Sequence, residues 1–192
     1  TSDIAAWVDE FGADGVRIDA IPMMPRSANR RIAAALRARF DHSSFKTWLI
    51  GENFTGPGAF ELLKAHLGPY GLNTEFHFPL MWALRQTIAS GQGSMGDIAT
   101  TFETGERTWA GSGAVMGVMI GNHDVPRFAS VSVGDAGGDA WTSAPLASDS
   151  SVFAKQSLAL GIAAALPGAL FLYYGDEVAL TGRGDPDTRR VL

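Results

Sequence analysis

The chain has 192 residues, 46% hydrophobic and 18% charged, with a formal net charge of −5 and no cysteine. Its length fits one domain or part of a larger one, and its apolar content can supply a sizeable core, which argues against disorder. The acidic balance gives no electrostatic footprint for nucleic acid or an anionic membrane surface, and the lack of cysteine excludes disulfides and thiolate chemistry. No apolar stretch approaches the roughly 18 residues of a membrane span. The opening "TSDIAAWVDEF" lacks the basic and hydrophobic regions of a signal peptide, and localisation is left open.

Ile4, Trp7, Val8 and Phe11 recur at helical spacing, with Ser2 as the expected N-cap and Gly12 as the stop. A short strand is expected over Gly15–Asp19. Ile32, Leu36 and Phe40 mark a second helix, whose arginines lie on the other face. "TWLIGE" (47–52) reads as a second strand, and Phe60, Leu63 and Leu67 as a helix ended by Gly68-Pro69. "LNTEF" (72–76) is a weaker third strand. Leu80, Leu84, Thr87 and Ile88 give another helix, and residues 94–107 one more. "AVMGVMIGNHD" (114–124) is expected as a strand, 132–150 as a long loop, and 150–166 as a buried helix. "ALFLYYGDE" (169–177) is the fifth strand and its exit loop. Apolar strands alternating with helices imply a parallel sheet covered by helices.

The polar residues sit where chemistry is expected. Asp19 ends the first strand, Glu52 ends the second, and Asn122-His123-Asp124 follow the fourth. The carboxyl ends of parallel strands carry the sites of α/β folds. Three acids at such ends suit glycosyl transfer. There one carboxyl protonates the leaving oxygen and another meets the oxocarbenium-like carbon, with retention when the two stand about 5–5.5 Å apart. A like-charged neighbour and partial desolvation would keep one of them protonated, and an arginine would hold the other ionised. Arg17 and Asp19 share a strand face, so Arg17 is placed to pair with Asp19. Taken singly, Arg17–Asp19 also reads as a structural ion pair, Glu52 as a helix N-terminal acid, and "NHD" as a turn. His123 alone reads as a satisfied half-buried histidine, and Asp185 and Arg189 as solvated loop charges. Phe54 and Tyr173 or Tyr174 stand near strand ends and could line a cleft, whereas Trp82 is expected in the core.

"GVRIDAI", "IGE" and "GNHD", in this order, resemble three motif regions of the α-amylase family, glycoside hydrolase family 13. "PGALFLYYGDEVALTGRGDPDTRR" is similar to that family's last barrel strand and the loop after it. The resemblance implies a partial (β/α)8 barrel over residues 1–192, an α/β fold of about five parallel strands corresponding to strands 4–8, with covering helices. It implies Asp19 as nucleophile, Glu52 as general acid/base, and Asp124 as the third acid, which hydrogen-bonds sugar hydroxyls. Arg17 would stand beside the nucleophile, His123 would donate to the same sugar, and Asp185 with Arg189 would bind the next sugar. Asn122 takes a supporting role. The substrate implied is an α-glucan or maltooligosaccharide.

Two departures from the family pattern matter. Pro22-Met23 stand where the family's α-amylases often carry Lys-His, which leaves acceptor preference open and keeps an α-glucan transferase as an alternative. The earlier strands, the inserted domain and most of the usual calcium ligands have no counterpart, so no metal or other cofactor is expected for this chain, although calcium could belong to a longer parent. An open five-stranded sheet would expose edges and an apolar face, so self-association or a complementing N-terminal half-barrel is expected as partner, and little hydrolysis by the chain alone. A non-catalytic carbohydrate-binding relative and a metal-dependent hydrolase using the same three acids are the competing readings.

Overall fold

The structure is a computed structural model that describes residues 2–191. They divide into two compact units, one running to Phe76 and including Thr104–Gly117, the other made of His77–Glu103 and the chain from Val118 onward.

The first unit is built on β1 (Gly15–Ile18), β2 (Trp48–Gly51) and β3 (Thr74–Glu75), a parallel sheet in that order. Helix α1 (Ser2–Phe11) precedes it, α2 (Arg26–Phe40) joins β1 to β2, and the short α3 (Phe60–Lys64) follows β2. Ser2 is the first helical residue here and not the cap; the position before it lies outside the described residues. The register sets Ile18 beside Gly51 and Gly51 beside Glu75. In parallel pairing, register partners point to one face. Ile18 and Leu49 pack with Val8, Ala33 and Leu36 from α1 and α2, which makes this the helix-covered face. Arg17, Ile50 and Thr74 form the other. Behind α3, Leu63 packs with Trp109 and Met116.

Gly51 lies in close contact with two buried side chains, whose ends a larger residue would have to displace. A Cβ there would lie 2.4 Å from Leu72 Cδ1 and 2.8 Å from Ile21 Cδ1. Its absence lets Ile21 pack fully buried at the turn after β1.

The second unit holds α4 (Phe78–Leu84), which runs into a π-helical turn at Arg85–Ala89, and the first part of α5 (Met95–Trp109). It also holds α6 (Phe128–Val133), α7 (Ser150–Ala165) and β5 (Ala169–Leu170), which pairs with β4 (Gly117–Val118), a strand whose Val118 belongs to this unit. Leu80, Leu84, Ile88, Val118, Ile120, Phe128, Ala159 and Ala163 form its core. His77 caps α4, its Nδ1 accepting from the Leu80 amide at 3.2 Å. Burial pushes that imidazole down to about 4, so the ring stays neutral and Nδ1 can accept. Asp149 caps α7, accepting from the Ser151 amide at 2.8 Å.

Several elements differ from expectation. The strand expected over 114–124 is regular only at Gly117–Val118, and β3 and β5 are equally short. The loop expected from residue 132 begins later, since α6 reaches Val133 and ends on Gly134 at φ 79. Leu67 lies beyond the end of α3 at Lys64.

Glu75 is fully buried on the helix-covered face. Its Oε2 accepts from Asn53 Nδ2 at 3.4 Å, and its Oε1 has no hydrogen-bond partner. Burial first, then the charge of Glu52, push this carboxyl up to about 9 against the pull of Asn53. Between the unfolded value of about 4.3 and that raised value the folded state binds the extra proton, so stability falls as pH rises through this window. Glu75→Gln removes that slope. Its melting temperature is expected to exceed that of the unmodified protein at pH 8, with the gap shrinking toward pH 5; parallel pH profiles would refute a protonated Glu75. Gly51→Ala is expected to cost about 1–3 kcal/mol by overpacking, read from urea unfolding, and an unchanged midpoint would show that the contact relaxes freely.

Candidate active site

In the first unit the polar residues gather just past the ends of β1 and β2. Arg17 Nη2 stands 2.9 Å from Asp19 Oδ1, and its guanidinium lies 6.0 Å from the centroid of the Phe76 ring. The Glu52 amide donates to Ile18 O at 2.8 Å, and Glu52 O accepts from the Ile21 amide at 2.9 Å. Pairing therefore continues one step past the regular strands. Extending the register by two residues puts Asp19 and Glu52 on the face of Arg17 and Ile50, opposite the helices. Glu52 Oε2 accepts from the Ala20 amide at 3.0 Å. Ala20 sits at φ 43, in the left-handed region, and turns the chain sharply after Asp19. Glu52 is buried, so its carboxylate is held by a main-chain donor adjoining Asp19.

The Arg17–Asp19 pair is open to solvent, with side-chain exposures of 37% and 73%. A pair so exposed contributes about 0–1 kcal/mol to stability. The ion pair therefore adds little stability, and it leaves the Asp19 carboxylate accessible to solvent.

In the second unit the segment after β4 carries Asn122, His123 and Asp124. Asn122 Oδ1 accepts from the Asp124 amide at 2.9 Å and shapes the turn. Asp124 meets two cationic or ring donors: Arg189 Nη2 at 3.1 Å and His123 Nε2 at 3.2 Å. Arg189 Nε also stands 3.2 Å from Asp185 Oδ1, so one guanidinium spans both acids. Asp185 and Arg189 lie at a 3₁₀ turn, Asp187–Arg189, whose Thr188 Oγ1 donates to His123 O at 3.2 Å. Tyr173 places its ring 6.2 Å from that of His123. All four residues expected from this part of the sequence stand together.

Sequence reasoning missed the groups that hold these segments. Arg127 is buried, and its Nε and Nη2 donate to Thr188 O at 3.1 and 2.8 Å while Nη1 donates to Tyr174 O at 2.6 Å. Its guanidinium lies 4.5 Å from the Tyr173 ring centroid and 4.8 Å from that of Tyr174. Arg85 Nη1 and Nη2 donate to Ile120 O at 2.9 Å and Pro126 O at 2.5 Å, bracketing the Asn122–Asp124 turn. Asp176 balances them: burial pushes its carboxyl up to about 6, and Arg127 and Arg85 pull against that rise. The signal that could have found Arg127 is the one that exposed Arg17, an arginine in an apolar run, here "VPRFAS". Among the aromatics, Phe54 and Tyr174 are exposed and Trp109 is buried. Trp82, expected in the core, is only partly buried, with the Arg85 guanidinium 5.9 Å from its ring. Among the described residues no group of three His, Cys, Asp or Glu side chains is placed to hold a metal ion, and no helix is long and apolar enough to cross a membrane.

No protein-family model matches the chain. It is 25% identical over 186 residues to the cyclomaltodextrin glucanotransferase of Bacillus sp. (strain 38-2), covering 97% of this chain and 23% of that protein. It is 27% identical over 192 residues to the α-amylase of Streptomyces lividans, covering 97% of this chain and 20% of that protein. The chain thus spans less than a third of the curated relatives it matches. Among solved structures, the α-amylase of Geobacillus thermoleovorans, complexed with acarbose, superposes with a TM-score of 0.77 at 24% identity, over 98% of this chain and 38% of that one. That likeness supports an α/β fold of parallel strands and helices matching the barrel region of an amylase. Over nearly its whole length the chain is similar to α-amylases and cyclomaltodextrin glucanotransferases, and it matches a part of those larger enzymes.

Proposed function

We propose that the chain forms part of the catalytic region of a retaining, α-glucan-acting glycoside hydrolase, corresponding to strands 4–8 of its barrel. Asp19 is the nucleophile and Glu52 the general acid/base. In the first step an Asp19 oxygen bonds to the anomeric carbon as Glu52 protonates the departing glycosidic oxygen. In the second, Glu52 takes a proton from water as that water displaces Asp19 and frees the sugar. Arg17 orients the Asp19 carboxylate. Asp124 and His123 bind hydroxyls of the reacting sugar, and Asp185 with Arg189 bind the next. The observation that carries this reading is that Asp19 and Glu52 end register-paired strands on one face, with Glu52 bonded to the amide beside Asp19.

An α-glucan transferase is the second reading. It is favoured by Pro22-Met23, which put an exposed thioether where the family resemblance implies cations. A carbohydrate-binding relative without turnover fits less well, because all three acids are retained.

Because the chain spans so little of its relatives, turnover by the chain alone is expected to be low, and covalent trapping is the sharper test. Incubation with a 5-fluoro α-glucosyl fluoride is expected to add one glycosyl mass to the peptide carrying Asp19, and Asp19→Asn to abolish the adduct. Labelling elsewhere, or adduct formation by Asp19→Asn, would overturn the assignment. Leu170, Leu172 and Val115 are exposed on or beside short strands, and Trp7 and Phe11 are exposed on α1. We take these surfaces to be covered by self-association, so light scattering is expected to give a mass above that of one chain; a monodisperse monomer contradicts it.

A further inference from the structure

Helix α2 begins on Arg26 after Pro25 and carries Arg30, Arg31 and Arg37, with no acid in its first turn. This arrangement opposes ordinary helix electrostatics. The N-terminal end of a helix is the positive end of its dipole, where cations are unfavourable, and like charges four residues apart destabilise a helix by a few tenths of a kcal/mol. Among the described residues Arg26, Arg30 and Arg31 form no ion pair that would offset this.

The loop after α3 closes over this end of the helix within the same unit. It is tightly built: Gly68 accepts from the Gly71 amide at 2.9 Å, and the Leu72 amide donates to His66 O at 2.8 Å. A Cβ at Gly71 would fall 2.2 Å from His66 O, so only glycine fits there. Arg37 Nη1 fixes the loop from the helix by donating to Pro69 O at 2.7 Å. Between loop and helix lies a cavity of about 90 Å³ lined by Arg26, Asn29, Arg30, His66 and Tyr70. A wider groove of about 270 Å³ adjoins it, also lined by Arg30 and Tyr70.

Asn29 is a buried polar group at this cavity, 2% exposed. Its Nδ2 stands 3.5 Å from His66 Nδ1, and its Oδ1 has no hydrogen-bond partner. An unpaired buried polar atom costs about 1–3 kcal/mol. Amide oxygen and nitrogen exchange places by a half-turn of the side chain. In the exchanged orientation His66 Nδ1–H donates to Oδ1, and the amide NH2 is left to serve a ligand in the cavity. Burial first, then the charge of Arg26, push the His66 imidazole down from its ordinary range.

We propose that this cavity binds the phosphoryl group of a small anion, with Arg26 and Arg30 on its oxygens, Asn29 at the floor and Tyr70 beside the adjoining groove. A tetrahedral dianion offers acceptors to several guanidinium and amide donors at once, which suits arginine more than lysine. Tyr70, 81% exposed, presents a flat apolar surface to an ester's organic part. The site goes beyond the glycosidase reading and does not depend on it.

The test is isothermal titration calorimetry of the intact chain with inorganic phosphate and with phenyl phosphate, in a chloride buffer of matched ionic strength. Saturable one-site binding is expected, weakened about tenfold or more by Arg26→Gln and by Arg30→Gln, and unchanged by Lys46→Ala. Tighter binding of phenyl phosphate, lost in Tyr70→Ala, would identify an ester as the occupant; equal affinities would identify free phosphate. NMR of the His66 ring gives a readout without substitution, since a bound dianion is expected to raise its pKa. Heats no larger than those of chloride, an unmoved His66 titration, or affinities indifferent to both arginine changes would overturn the proposal.

Discussion

Buried side chains that complete the hydrogen bonding of the main chain hold these segments in place. Among the described residues three of the five strands are two residues long, so much of the chain runs as loop, where main-chain groups need partners outside a sheet ladder. A buried carbonyl without a donor costs about 1–3 kcal/mol. In the second unit guanidinium groups supply the donors: Arg127 to Thr188 and Tyr174, Arg85 to Ile120 and Pro126, and Arg190 to Ala144 and Thr181. In the first unit Asn73 does the same, taking the Leu49 amide at 2.6 Å and giving to Thr47 O at 3.2 Å. A guanidinium has five donors in a fixed fork, so one residue can lock two loops at a set spacing, as an apolar side chain cannot. The loops that carry His123, Asp124 and Arg189 are positioned in this way.

The parallel register divides the first unit's charges by parity. Arg17, Asp19 and Glu52 fall on one face of the sheet, and Glu75, one residue out of phase, on the other. The two acids nearest each other in the ladder, Glu52 and Glu75, therefore meet different surroundings. Glu52 has a main-chain donor in Ala20, whereas Glu75 has only a long bond from Asn53 and is driven toward its neutral form. A neutral Glu75 adds no charge beneath the strand end that presents Asp19 and Glu52. This is how the fold can bury a third carboxyl so close to the pair without repelling it.

Much of this was legible in the sequence. "GVRID" and "WLIGE" gave strands near their observed positions because apolar β-branched runs of that length have few other uses, and the polar residues at their ends marked the face where the acids lie. Asp124, His123, Asp185 and Arg189 were found as motif members, and they stand in contact with one another. What escaped notice has a common physical origin. Arg127, Arg85 and Glu75 are charged groups whose burial is set by partners up to 61 residues away, and no local period announces such partners. The early ends of β3, β4 and β5 were hidden for the same reason, since apolar runs such as "AVMGVMI" show that a segment is buried but not whether its amides pair with another strand.

The turn after Asp19 shows how tightly backbone and site are linked. Ala20 adopts φ 43, a conformation that costs an alanine about 1–2 kcal/mol, and its amide is held by Glu52 Oε2. The turn drives Ile21 inward, where the missing Cβ of Gly51 makes room for it, and throws Met23 outward to 87% exposure. On the proposed reading, the residues just past the nucleophile face the leaving-group side, so the same turn that aims Asp19 also sets what the acceptor meets. Here that is a proline and a flexible, polarisable thioether with no charge to hold a hydroxyl or steer a water. A site so lined loses the donors that would favour water over sugar as acceptor, which links the one departure from the family pattern at this position to a choice between hydrolysis and transfer.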